Sequence, residues 1–323
     1  MKGFARVHAP LLLLLTLGLG ACADGDTDPL GPAADVEPPA FARGGNGGKP
    51  KGGPTTIRIA FSLEGAGGRI QTVNADGSGY SAIANTEGGT DPAWSPDRKK
   101  LAFAIPSGPE AGLYVIGANG RQRVRVFTGA AGGPAWSPDG TRIVFHASVA
   151  GGTHLFFVNA DGTSLQQATA VGTVNSDPSW SPEGLRIVWF SNRSDGAGLW
   201  RMRADGTYRT RIRSCYYCAS PVWSPVAGDE RIAFSEYHDG TIASVNIAII
   251  GSNGSNYQSI AYGTAHGVAD LQPSWSPDAT QLVFNSGMQG GGRDLYVVDA
   301  DGSDVRRIAA TAAHEAAPAW AAR

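Results

Sequence analysis

Two aspartates stand where they could do chemistry, at equivalent positions of a repeated motif. Asp91 and Asp177 each lie three residues before a tryptophan, in DPAW and DPSW. A pair of carboxylates can bind a cation or hydrogen-bond a sugar. The same position in other copies of the motif is occupied by Gly133, Ser220, Gln272 and Ala317. We therefore predict Asp91 and Asp177 as binding residues, without a complete ring of ligands.

Three polar loops supply a mixture of side chains suited to a protein or glycan partner. They are SCYYCAS (214–220), SEYHDGTIASVN (235–246) and GTAHGVADL (263–271). Tyrosine gives amphipathic contact surface, and His and Asp add polar contacts. Solvated loops with incidental aromatics are the alternative interpretation. The predicted binding residues in these loops are Tyr216, Tyr217, Tyr237, His238, Asp239, His266 and Asp270.

The Cys215-x-x-Cys218 pair is compatible with a redox site, a metal half-site or a local disulfide. Redox pairs of this spacing normally begin a helix, which lowers the thiol pKa, but this pair lies between two predicted strands. The chain has three cysteines, and the third, Cys22, belongs to the N-terminal signal described below. That signal predicts export to an oxidising compartment, where the two remaining thiols can pair. The sequence favours a structural disulfide.

Catalytic and metal-binding signatures are absent from the sequence. It contains no Gly-x-Ser-x-Gly elbow, Walker loop or dinucleotide fingerprint. The histidines show no tight His-x-His or His-Glu-x-x-His spacing. We predict no cofactor, no metal and no catalytic residues, and an enzyme is the less favoured hypothesis.

The N-terminus has the features of a bacterial lipoprotein signal. Lys2 and Arg6 precede the apolar run LLLLLTLGLG, which is too short for a mature membrane span. Leu19-Gly20-Ala21-Cys22 resembles a lipobox, in which the Cys becomes the lipidated first residue of the mature chain. An ordinary signal peptide with a chance Cys is the alternative. Ala23 resembles the outer-membrane sorting pattern of Gram-negative lipoproteins.

Composition separates a tether from a folded part. Residues 22–55 are rich in Gly, Pro and Asp, which predicts a flexible linker. The whole chain has 26 basic and 28 acidic residues, without a basic block, so nucleic-acid binding is disfavoured. We expect a signal peptide (1–21), a tether (22–55) and a folded domain (56–323).

A repeat runs through the whole folded part. Each copy contains Pro-x-Trp, an apolar run ending in an aromatic residue, and a further run ending in Asp-Gly or Asn-Gly. Asp-Gly and Asn-Gly favour tight hairpin turns, and a period of 42 to 52 residues is typical of propeller blades. The repeated tryptophans are Trp94, Trp136, Trp180, Trp223, Trp275 and Trp320.

These copies predict an all-β, six-bladed propeller of four-stranded antiparallel blades. The first blade begins at its second strand, IRIAFS, and the unpaired APAW (317–320) supplies its missing strand and closes the ring. Fourth strands are predicted in the polar runs, such as RVRVFT and LQQATA. If Pro-x-Trp is innermost, Asp91 and Asp177 sit near the mouth of the central channel.

The repeat Pro-x-Trp-Ser-Pro-Asp-Gly with its Ala-Asp-Gly turn resembles the PD-type repeat of the TolB family, a relative of WD-repeat propellers. TolB itself carries an α/β domain ahead of its propeller, and the tether takes that place here. The Ser-Pro-Asp and Ala-Asp-Gly turns should lie on one face, the turn face, and the variable loops on the other, the loop face. Function usually resides in variable loops on a rigid scaffold.

Together these features predict a lipid-anchored envelope protein, outer-membrane in location and facing the periplasm. Its propeller is expected to be a non-enzymatic scaffold that binds an envelope protein or glycan at the loop face, with the membrane contacted through Cys22. The alternative is a carbohydrate-active or hydrolytic enzyme, or a glycan-binding protein, with its site at the channel.

Overall fold

The structure is a computed structural model in which only part of the chain can be described. The described residues are 58–65, 68–169, 174–194, 196–215, 217–237, 245–260, 270–287, 292–311 and 313–321. The predicted signal and tether lie outside them. Within these ranges no helix is long and apolar enough to cross a membrane.

All regular elements of the described residues are strands, as the turn-rich composition predicts. In chain order they are β1 (Arg58–Glu64), β2 (Ile70–Asn74), β3 (Ser81–Ala82), β4 (Thr90–Trp94), β5 (Lys100–Ile105), β6 (Gly112–Gly117), β7 (Val124–Thr128), β8 (Ala131–Trp136), β9 (Arg142–Val149), β10 (Gly152–Asn159), β11 (Gln166–Gln167), β12 (Asn175–Trp180), β13 (Arg186–Ser191), β14 (Gly198–Arg203), β15 (Thr210–Ser214), β16 (Cys218–Trp223), β17 (Arg231–Tyr237), β18 (Val245–Gly251), β19 (Gln258–Ser259), β20 (Asp270–Trp275), β21 (Gln281–Ser286), β22 (Asp294–Asp299), β23 (Arg306–Ala309) and β24 (His314–Trp320).

The strands form six antiparallel sheets of four strands each, so the predicted propeller is confirmed. The first blade has the order β24-β1-β2-β3, and the second to sixth blades each use four consecutive strands, from β4–β7 to β20–β23. β24 pairs with β1, with Ile59 opposite Trp320. The C-terminal strand therefore closes the ring in the predicted manner, and each Pro-x-Trp strand is innermost.

The core lies between the blades. Each second strand places one aromatic ring in the packing layer, and all six rings are at most 1% exposed. Burial of such a ring contributes roughly 2–3 kcal/mol. The clusters mix neighbouring blades: Val144 and Leu155 of the third blade pack with Trp180 and Trp189 of the fourth. The six aromatic residues are Phe61, Phe103, Phe145, Trp189, Phe234 and Phe284.

The fourth strands differ from the prediction in alternate blades. β7, β15 and β23 have four or five residues, but β3, β11 and β19 have only two. In two of the three blades with a short fourth strand, a threonine hydroxyl accepts a third-strand N–H in place of a backbone carbonyl. The Thr86 hydroxyl accepts the backbone N–H of Ile70 at 3.1 Å, and the Thr169 hydroxyl accepts that of Leu155 at 2.9 Å. A side-chain oxygen therefore satisfies the buried donor where a strand was predicted.

The polar side chains of the repeated turns form hydrogen bonds within their own turns. Ser95 donates to Asp97 at 2.7 Å and accepts the backbone N–H of Lys100 at 2.9 Å. At the other hairpins Asp161 accepts from Thr163, and Asp301 accepts from Ser303. These hydrogen bonds lower the pKa of the Asp97, Asp161 and Asp301 carboxyls. The Asp residues of the turn face fix local geometry.

Candidate binding site at the channel mouth

Six residues, one from each inner strand, form the rim of the channel on the loop face, and we call them the mouth residues. Each is a bulged position at which the pairing of the inner and second strands shifts register. All have a positive φ between 48° and 56°, a left-handed conformation that is uncommon outside glycine. They are Asp91, Gly133, Asp177, Ser220, Gln272 and Ala317.

The left-handed backbone turns each mouth N–H toward the preceding blade, where a side chain accepts it. In the second, fourth and sixth blades the acceptor is the mouth residue itself. Asp91 Oδ2 accepts from Gly133 N at 3.3 Å. Asp177 Oδ2 accepts from Ser220 N at 3.3 Å, and Gln272 Oε1 accepts from Ala317 N at 2.8 Å.

In the first, third and fifth blades the mouth residue is small, and the second strand supplies the acceptor. Ser62 Oγ accepts from Asp91 N at 3.2 Å, and Ser235 Oγ accepts from Gln272 N at 3.0 Å. The third acceptor of this kind is His146, whose Nδ1 accepts from Asp177 N at 3.2 Å. These six bonds cross all six seams between neighbouring blades.

His146 lies between the two predicted carboxylates. Its Nδ1 is 3.7 Å from Asp177 Oδ1, and the side chains of His146 and Asp177 are 22% and 30% exposed. A Cβ atom at Gly132 would lie 2.7 Å from His146 Nε2 and 3.1 Å from Asp91 Oδ2. The imidazole therefore rests on bare backbone that only glycine provides.

The charges at the mouth act on one another. Burial raises the pKa of the Asp91 carboxyl, and the negative charge of Asp177 raises it further, against the opposing influence of His146. No Lys or Arg of the described residues forms an ion pair with Asp91 or Asp177. The mouth is thus a polar, acidic rim.

The channel holds a cavity of about 260 Å³, which is lined by the mouth residue and the next two residues of every inner strand. Drug-sized ligands occupy pockets of about 300–1,000 Å³. The channel suits a single inserted side chain better than a larger ligand.

Two tyrosines lie on the loop face beside the mouth. The rings of Tyr217 and Tyr237 are 5.4 Å apart between centroids, and Tyr237 N donates to Tyr217 O at 3.1 Å. Burial raises the pKa of the Tyr237 phenol, the charge of Arg293 opposes that shift, and the charge of Asp177 adds to it. Both residues are half-buried.

A disulfide brackets Tyr217 in the chain, and an ion pair with a buried carboxylate involves the residue before Tyr237. Cys215 is joined to Cys218, the first residue of β16, with Cα atoms 5.9 Å apart. Next to Tyr237, Glu236 is 5% exposed and bonds Arg213 at 2.5 Å and the Tyr257 hydroxyl at 2.6 Å. Burial and this carboxylate raise the pKa of Tyr257 to about 12.

The predicted site residues are distributed as follows. Asp91 and Asp177 lie on the rim at the expected end of the channel, and Tyr217 and Tyr237 lie next to it on the loop face. Only the backbone of Asp270, at the start of β20, is described. Binding by these residues stays a prediction. The positions outside the described residues are Cys22, Tyr216, His238, Asp239 and His266.

Sequence reasoning did not find the residues that complete the rim, namely His146, Ser62 and Ser235. One signal for them exists in the aligned copies. Where the mouth residue is Gly, Ser or Ala, the second strand carries His or Ser; where the mouth residue is Asp or Gln, it carries Ala104, Phe190 or Asn285 instead. In the described part of the chain no three His, Cys, Asp or Glu residues are grouped to hold a metal ion.

Comparison with known proteins identifies the repeat. The model of the TolB beta propeller domain matches residues 50–323. No curated protein sequence is significantly similar to the chain.

Solved structures with the same fold are distant in sequence. TolB from Acinetobacter baumannii is 21% identical with a TM-score of 0.70, over 83% of this chain and 67% of that one. A putative TolB from Agrobacterium tumefaciens is 20% identical with a TM-score of 0.62, over 78% and 88%. A chain of a nidogen/laminin complex is 12% identical with a TM-score of 0.64, over 82% and 98%. At these identities the similarities show the fold.

Proposed function

Because this chain belongs to the TolB beta propeller family, we propose that it is a non-enzymatic scaffold of the bacterial cell envelope that binds another protein. The binding surface is the loop face around the channel mouth. A partner segment covers the tyrosine pair and inserts a side chain into the rim.

The tyrosine pair beside the mouth is the observation that carries this proposal. Tyr217 and Tyr237 present two adjacent aromatic rings in half-buried residues, and the Asp177 carboxylate acts electrostatically on Tyr237. Tyrosines in such settings are enriched at the energetic centre of protein interfaces, because a large apolar ring is combined with a hydroxyl group. The disulfide at Cys215 and Cys218 limits the conformations of the segment before binding, which reduces the entropy lost on association.

The two faces of the propeller differ in sequence variability, and variable loops on a rigid scaffold are the usual place for a binding surface. The turn face repeats the same bonded Ser, Asp and Thr groups, whereas the loop face differs from blade to blade. A propeller of similar fold occurs in the nidogen/laminin complex, so this architecture can participate in a protein complex.

Export and lipid anchoring are part of the proposed function. Cys22 carries the lipid, residues 22–55 form the tether, and the protein resides in the outer membrane facing the periplasm. In this proposal the loop face, opposite the turn face on which β1 begins at Arg58, is the surface left free for the partner.

Lipid anchoring is tested by metabolic labelling with palmitate and by fractionation of cells that produce the protein or its Cys22→Ser variant. The native protein is expected to carry the label and to occur in the membrane fraction, and the variant is expected to be unlabelled. Labelling that survives the substitution would contradict anchoring through Cys22.

Partner binding is tested by affinity capture from envelope extracts with the full chain and the double variant Tyr217→Ser/Tyr237→Ser. The variant is expected to lose a protein that the native chain recovers. Tyr208→Ser is the matched control, because Tyr208 follows the Asp205 hairpin on the turn face. Equal recovery by the native and double-variant chains would refute the assignment to this face.

A further inference from the structure

One of the six bonds at the channel mouth has an imidazole nitrogen as its acceptor. Ser62 and Ser235 accept through hydroxyls, Gln272 through an amide, and Asp91 and Asp177 through carboxylates. Each of these groups keeps an acceptor oxygen between about pH 5 and 8, the range in which imidazoles ordinarily titrate. The acceptor between the third and fourth blades is the imidazole of His146.

The geometry fixes the form of His146 that this seam requires. Nδ1 accepts the backbone N–H of Asp177 at 3.2 Å, so Nδ1 carries a lone pair and the ring is neutral with its proton on Nε2. A protonated ring has N–H groups at both nitrogens and accepts nothing. The bond between the third and fourth blades cannot persist in that form.

We propose that His146 is a proton-operated switch of the channel mouth, which exchanges its bond with the Asp177 backbone for one with the Asp177 carboxylate. On protonation, Nδ1 loses the Asp177 N–H and becomes a donor toward Asp177 Oδ1, which lies 3.7 Å away. The other oxygen of that carboxylate accepts from Ser220 N at 3.3 Å. Movement of Asp177 therefore reaches the seam between the fourth and fifth blades.

The surroundings of His146 favour a rearrangement of side chains over displacement of the ring. The ring rests on Gly132 and Gly133, where a Cβ atom would lie within 3.0 Å of its nitrogens. Among the described residues, two charged groups face it from neighbouring elements, Asp91 of β4 and Asp177 of β12. Glu64 of β1 acts electrostatically on Asp91, and the charges of Asp177 and Arg293 act on Tyr237 of β17. The new positive charge thus meets two carboxylates.

The consequence for binding rests on the proposed function. Protonation offsets part of the negative charge of the rim and engages Asp177, which lies near the tyrosine pair. The partner is expected to bind about tenfold more weakly in the protonated state, a change within the range of ordinary coupling between two sites.

The switch is tested by nuclear magnetic resonance on the full chain labelled with ¹⁵N. At about pH 8 we expect His146 to carry its proton on Nε2, and on acidification the amide signal of Asp177 should move with the same midpoint as the ring. The matched control is His146→Ser, because Ser62 and Ser235 occupy the equivalent position in the first and fifth blades. The Asp177 amide of that variant should show no such transition.

Two results would overturn the inference. One is a neutral ring protonated on Nδ1 at about pH 8; the other is an Asp177 amide that ignores the titration of His146. Both are read from the native protein, so the test stands even if the variant does not fold. Affinity capture at about pH 8 and about pH 5 is a separate experiment. If no partner is captured at either pH, the proposed function is refuted, and the switch is then judged from the nuclear magnetic resonance titration alone.

Discussion

At the scale of single residues, the mouth shows that backbone conformation can be shared by residues with little chemistry in common. Gly133, Gln272 and Ala317 adopt the same left-handed φ because each must direct its N–H to the preceding blade. Non-glycine residues in this region carry a strain of about 1–3 kcal/mol. The seam bonds offset that strain.

Ala317 offers a direct test of the strain. Ala317→Gly removes one methyl group at φ 48° and should stabilise the protein by about 0.5–1 kcal/mol, because glycine adopts this conformation without a clash. Ala319→Gly is the control in the same strand, at a position without positive φ, and should destabilise by a similar amount. Urea denaturation measures both, and equal destabilisation by the two substitutions would contradict the strain argument.

His154 makes stability depend on pH. Its side chain is 0% exposed, neither ring nitrogen has a hydrogen-bond partner among the described residues, and burial lowers its pKa below 6.5. Below that pH the unfolded chain binds a proton that the folded chain excludes, so stability falls in acid and is retained above it. The free energy of unfolding should drop less between about pH 8 and pH 5 in His154→Leu than in the native protein. An identical drop in the two proteins would remove His154 from this account.

At the scale of strands, local sequence patterns were sufficient to predict most of the strands and turns. The Asp-Gly turns and the second-strand aromatics were predictable because turn chemistry and apolar alternation act within a few residues. The lengths of β3, β11 and β19 were not, since Thr86 and Thr169 replace sheet bonds from a distance of 16 and 14 residues. The location of Asp91 and Asp177 followed from the repeat, but their bonds to Gly133 and Ser220 depend on contacts between blades that no single copy contains.

The hydrogen bond from the Leu155 N–H to the Thr169 hydroxyl, which takes the place of a strand bond in the third blade, can be tested by substitution of Thr169. Thr169→Val keeps the shape of the side chain but leaves the buried N–H of Leu155 without its acceptor, at a cost of about 1–3 kcal/mol. Thr163→Val, at the exposed hairpin of the same blade, should cost less than about 1 kcal/mol. Chemical denaturation compares them, and an equal cost would show that the Thr169 bond does not replace the sheet.

At the scale of the whole molecule, the propeller alternates between two kinds of blade. The first, third and fifth blades have short fourth strands and take their seam acceptor from the second strand. The second, fourth and sixth blades have longer fourth strands and use the mouth residue itself. The ring is thus three pairs of blades, closed where β24 joins β1. His146 is the one position at which this pattern places an imidazole.

The central claim is that the loop face around the mouth binds a protein partner, and crosslinking in living cells tests it most directly. A photo-crosslinking amino acid replaces Tyr217 in one strain and Tyr208 in another, so that the probe sits on the loop face or on the turn face. We predict a discrete crosslinked protein after illumination from position 217 and none from position 208. A crosslink from position 208 alone, or none from either position, would contradict the account.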